Sequence, residues 1–123
     1  MAEVLAYVAA GLVLLWGVSH AIPTRGVVAG YGELTADNRR ILVQEWLAEA
    51  VTMFSLATLV IVVTAVGAGT SATEWAYRVV AGALVVLAVL TALTGARTRI
   101  VWFKICPVLL SASAALLLVA SVI

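Results

Sequence analysis

The stretch ILVQEWLAEAVTMFSLATLVIVVTAV, residues 41–66, decides what kind of molecule this is. It is a continuous apolar run long enough to cross the ~30 Å hydrocarbon core of a bilayer as a helix, with two carboxylates, Glu45 and Glu49, near its beginning. A β-barrel strand would be shorter and would alternate polar with apolar residues. Acids inside such a segment are costly to insert, so each needs a partner, a wet cavity or a proton. Glu45 and Glu49 are therefore the first candidates for a functional site.

Three more apolar stretches flank this one, roughly residues 3–22, 75–95 and 105–123. The expected fold is an all-α integral membrane four-helix bundle forming a single transmembrane domain over residues 1–123. Composition agrees: 65% of residues are apolar, 11% are charged and the mean hydropathy is +1.21. A soluble domain of this size has about a quarter charged residues and cannot hide so much apolar surface. Met1-Ala2-Glu3 has no basic leader and no small-residue cleavage site follows, so the first segment is expected to be retained. A net charge of +1 excludes the clustered basic footprint of a nucleic-acid binder. Cys106 is the only cysteine, so no internal disulfide can form.

Orientation follows from the connections. Arg25, Arg39 and Arg40 lie in or beside the first, and Arg97, Arg99 and Lys104 in the third, whereas Arg78 alone lies on the opposite side. The positive-inside rule then puts both termini on the non-cytoplasmic side, and an imbalance of six to one argues against a dual-topology dimer. The second helix is expected to begin at 35, capped by Thr35 or Asp37, and to project beyond the membrane. Arg39 and Arg40 in its first turn oppose the helix dipole, so lipid headgroups, topology or the acids Glu33 and Asp37 must account for them. Gly26, Gly30 and Gly32 suggest a flexible or tightly turned segment and match no phosphate loop. Pro107 is expected in the first turn of the fourth helix, with Cys106 an inert helix-start thiol. Small-xxx-small spacing at Ala6/Ala10, Ala88/Ala92 and Ser111/Ala115 suggests close helix contacts. Trp16, Trp46, Trp75 and Trp102 suggest interfacial anchors.

The polar residues converge on the cytoplasmic side in this topology. Glu45 and Glu49, one turn apart, should share a face with Thr52, opposite His20 at the end of helix one. Carboxylates this close repel when both are charged, which makes them candidates for exchanging a proton with a ligand. The competing structural role has them braced by the basic residues Arg39, Arg40, Arg97, Arg99 or Lys104. A metal site from His20 and the two glutamates is geometrically possible but has only three candidate ligands and is not the expected reading, and a single histidine cannot supply bis-histidine haem ligation. No metal or other cofactor is expected.

The run Tyr31-Gly-Glu-Leu-Thr-Ala-Asp-Asn-Arg-Arg40, followed by Glu45-Trp46 and by Lys104-Ile-Cys-Pro107, resembles a family of small bacterial four-helix membrane proteins. That resemblance spans most of the chain and brings no established activity with it. Helix number and size are also similar to DoxX-like proteins, some of which are oxidoreductase-associated subunits. Three functions are in competition. The first is an accessory subunit or binder of a lipophilic ligand in the bacterial inner membrane, as a homo-oligomer or within a larger complex. The second is a small proton-coupled transporter using Glu49. The third is a membrane-embedded acid/base enzyme acting on an isoprenoid or quinone-like substrate through Glu45, Glu49 and His20. Small multidrug exporters have a similar size but place their essential acid in the first helix, where this chain has only Glu3.

Overall fold

The computed structural model describes all 123 residues. The chain is helical throughout: α1 (Ala2–Ala21), α2 (Thr24–Gly30), α3 (Ala36–Gly67), α4 (Ser71–Leu93), a single 3₁₀ turn (Gly95–Arg97) and α5 (Val101–Ala120). Of these, α1, α3, α4 and α5 are long and apolar enough to cross a membrane. The protein is a multi-pass membrane protein. Its short connections alternate the direction of the four spans, so both termini emerge at one end. Packing is closest between α4 and α5, between α1 and α3, and between α1 and α5, with a lighter contact closing the ring from α3 to α4.

The apolar surface is distributed inside out. Only 25 of 123 residues are buried, although 65% are apolar, and Val62, Val79, Val86, Val89, Leu90 and Val108 face outward. Water would not tolerate that surface, and lipid does. The core is built from small residues and a few large ones: Ala6, Ala9 and Ala10 on α1, Met53 and Val60 on α3, Leu84 on α4, and Leu110 and Leu117 on α5. Without a hydrophobic drive between helices in lipid, close van der Waals packing has to hold them. Of the spaced small pairs, Ala6/Ala10 is buried, but Ala92, Ser111 and Ala115 are exposed. Gly17 marks the tightest approach, since a Cβ there would lie 2.8 Å from Phe54 Cε1 and 3.2 Å from Met53 Cβ.

The helix ends are set by polar contacts that hydropathy does not register. Thr35 caps α3, accepting from the Asn38 N–H at 3.2 Å. The span of 32 residues reaches about 48 Å, so part of α3 extends past the hydrocarbon core. At the far end Gly69 takes φ +77°, a left-handed conformation that suits glycine, and turns the chain. Thr70 then caps α4, while Thr73 Oγ1 donates to the Gly67 carbonyl at 2.7 Å. As a result α4 begins at Ser71, before the apolar run that starts near Trp75. Helix α5 likewise starts at Val101, which places Pro107 inside the helix and Cys106 beyond the first turn rather than at the helix start. The segment around Gly26 and Gly30 is also not a loop: it is α2, entered through Pro23 and stabilised by a Val27 N–H bond to the Pro23 carbonyl.

Arg78, the lone basic side chain at the terminal end, has a structural role. Its guanidinium donates to Ser121 Oγ at 3.2 Å and to the Ser121 carbonyl at 2.9 Å, compensating the C-terminal end of α5. It also lies 5.0 Å above the Trp75 ring.

Candidate functional site

At the opposite end, where the other six basic residues lie, a cavity of about 1020 Å³ opens between the ends of α1, α3, α4 and α5 and is bordered by α2. Its wall is built around Trp46. The Trp46 indole stacks on the His20 imidazole with ring centroids 3.9 Å apart and 14° between planes. Its Nε1–H donates to the His20 carbonyl at 2.8 Å. Phe103 of α5 meets the same indole edge-on at 5.9 Å.

These contacts also terminate α1. The last carbonyls of a helix lack intrahelical donors; here the Ile22 N–H closes the final backbone bond to Val18, and two of the remaining carbonyls find side-chain donors, His20 from Trp46 Nε1–H and Ala21 from Thr24 Oγ1–H. Trp16, a turn earlier, donates from Nε1 to Cys106 Sγ at 3.1 Å. Both indoles are therefore held by α1–α3 and α1–α5 contacts. They act as cavity wall, not only as interfacial anchors; Trp102 is exposed but also borders the cavity, whereas Trp75 is exposed at the other end of the bundle.

His20 is buried, with only 8% of its surface exposed. Its Nε2 lies 3.5 Å from Glu49 Oε2 but makes no hydrogen bond. The Glu49 side chain retains 27% exposure and also lines the cavity. Glu49 is thus the accessible member of the pair and His20 its shielded neighbour. Cys106, Thr91, Thr94 and Ser19 supply further polar atoms, and no lysine or arginine contributes to the lining. Chemically, the cavity offers aromatic faces, several hydroxyl oxygens and one carboxyl group whose nearest ionisable neighbour is an imidazole.

The structure brings together His20 and Glu49 but leaves Glu45 and Thr52 outside, both exposed. Helical phase explains the split. At about 100° per residue, Met53, Ala57, Val60 and Thr64 define the buried face of α3, and Trp46 falls within about 10° of its centre. Glu49 lies about 50° off that centre, Glu45 about 90° and Thr52 about 110°, on the same side. Sharing a face with Glu49 carries Glu45 and Thr52 away from the bundle. The expected charge partners are also elsewhere: Arg39, Arg40, Arg97, Arg99 and Lys104 all lie outside the cavity lining. The ion pairs of the molecule are His20–Glu49, Asp37–Arg40 and Glu74–Arg78, so none of these basic residues braces a glutamate of the apolar run. With Glu45 turned away, the set of His20 and two glutamates is not assembled, and no group of three or more potential metal ligands occurs.

Trp16, Trp46, Phe103 and Cys106 were not legible as site residues. The available signal was Trp46 itself, three residues before Glu49 and so on the neighbouring face. No family model, curated protein or solved structure matches this chain.

Proposed function

We propose that this protein binds a lipophilic small molecule in the His20–Glu49 cavity, as a non-catalytic module of the bacterial inner membrane with its basic loops in the cytoplasm. One observation carries the proposal: a shielded His20 Nε2 without a hydrogen bond beside an accessible Glu49, in an aromatic wall of a cavity of about 1020 Å³. Ligand sites have this composition, mostly apolar with a few convergent polar groups, and typical volumes of ~300–1,000 Å³. The absence of lysine and arginine from the lining disfavours anionic ligands. Cations and neutral molecules able to donate to a carboxylate fit better. The bundle's apolar exterior suits lipid and also suits a membrane partner, consistent with an accessory subunit.

Trp16 and Trp46 provide the readout. Titration with a quinone, an isoprenoid alcohol and a lipophilic cation should quench tryptophan emission saturably for at least one of them. Gly26→Leu, which fills open space at the cavity wall, should abolish that response. Linear quenching of equal slope in both proteins would mean partitioning into detergent and would refute the proposal. A second function, proton-coupled transport, is favoured by the contact between Glu49 and His20. It requires proton release when the lipophilic cation binds, and loss of that release in Glu49→Gln.

A further inference from the structure

A second concavity, of about 550 Å³, lies outside the bundle between α2 and the start of α3. Ile22, Val28, Val43 and Leu47 form its apolar surface, and Arg25 and Arg39 stand along it. Burial of Val28 fixes α2 against the bundle, so the groove is part of the fold. Neither arginine has a carboxylate within 4.0 Å, because the nearby Asp37 is taken by Arg40 at 3.3 Å. Arg39 gains nothing from its own helix either, since the first turn of α3 disfavours a cation. Both side chains are exposed at the level where the apolar run of α3 begins.

Two unpaired guanidiniums above a hydrocarbon groove match one kind of molecule: an anion attached to an alkyl chain. Guanidinium recognises phosphate oxygens through forked, charge-assisted hydrogen bonds. Basic pockets beside membrane helices are suited to acidic headgroups. We propose that Arg25 and Arg39 hold the phosphodiester of an anionic phospholipid whose acyl chain lies along Ile22, Val28, Val43 and Leu47. A soluble phosphate would leave the apolar part of the groove unused. A zwitterionic lipid would bring a cation next to two arginines.

Native mass spectrometry of the full-length protein in detergent tests this, with dioleoyl phosphatidylglycerol, dioleoyl phosphatidylcholine and inorganic phosphate as probes. Saturable retention of one phosphatidylglycerol in preference to phosphatidylcholine is expected. The double variant Arg25→Gln/Arg39→Gln should bind it about 25-fold more weakly, from ~1 kcal/mol per basic residue near a membrane surface. Arg97→Gln/Arg99→Gln, which removes equal charge away from the groove, should retain it. Val43→Trp, which fills the groove and keeps both arginines, should lose it, and this holds even if the double variant does not fold. Equal retention of the two lipids, equal weakening by the two double variants, unimpaired binding by Val43→Trp, or inorganic phosphate binding as tightly as the lipid would each overturn the assignment.

Discussion

Gly17 controls how close α1 approaches α3, and that approach sets the separation of His20 from Glu49 one turn further along. Substitution by alanine adds a single carbon, which would sit 2.8 Å from Phe54 Cε1, 3.0 Å from Phe54 Cδ1 and 3.2 Å from Met53 Cβ. The Phe54 ring can swing aside. Met53 Cβ moves only with its backbone, so the helices must separate by a few tenths of an ångström. Overpacking of this kind costs about 1–3 kcal/mol. Alanine also favours a helix interior over glycine by roughly 0.8–1 kcal/mol, which masks part of the cost. Gly11, in the same helix, has open space where a Cβ would stand, with no atom within 4 Å, so Gly11→Ala carries the propensity gain alone. The difference between the two variants isolates the contact and should be about 1–3 kcal/mol. Circular dichroism during denaturation in mixed detergent micelles measures it. If Gly17→Ala matches Gly11→Ala, the close packing of α1 on α3 is refuted, together with the site geometry that depends on it.

Trp46→Phe should preserve stacking on His20 while removing the donor to the His20 carbonyl, destabilising the protein by about 1–2 kcal/mol in the same assay. An unchanged stability would mean that carbonyl is satisfied in another way. Arg78→Gln should release the end of α5: hydrogen exchange of the amides after Leu117 should accelerate about fivefold, the equivalent of ~1 kcal/mol, without affecting α1. Uniform acceleration along the chain would contradict so local a role. In a Cys106→Ser background, a cysteine at Thr98 should react with an impermeant maleimide only from the cytoplasmic side, and one at Ala72 only from the other side; the reverse pattern would invert the proposed orientation.

What the sequence makes legible is the part governed by bulk hydrophobicity. Four spans follow from four apolar runs, and their central residues coincide with α1, α3, α4 and α5. Their ends depend on individual side chains, so α4 begins with the Thr70 cap and α5 includes four residues ahead of its apolar run. Helix α2 is hidden by two glycines of low helix propensity, offset by Pro23 at its entry and by the burial of Val28. The site is legible to the same extent. An acid in an apolar run marks Glu49, and a histidine at the adjoining helix end marks His20. Separating Glu49 from Glu45 requires the angular position of the buried stripe, which a helix apolar on all sides does not display. The roles of Trp16 and Cys106 depend on a contact across 90 residues of sequence, which periodicity within one helix cannot reveal.

Photolabelling tests the central claim most directly. A diazirine-bearing analogue of whichever lipophilic ligand quenches tryptophan emission would be irradiated with the protein, with and without excess unlabelled ligand, and the adducts located by mass spectrometry. Labelling should concentrate at Glu49, Trp46 and Phe103, disappear under competition and be lost in Gly26→Leu. Adducts spread along the outward-facing residues Val85, Val86, Val89 and Leu90, and indifferent to competitor, would contradict a ligand site at the His20–Glu49 cavity.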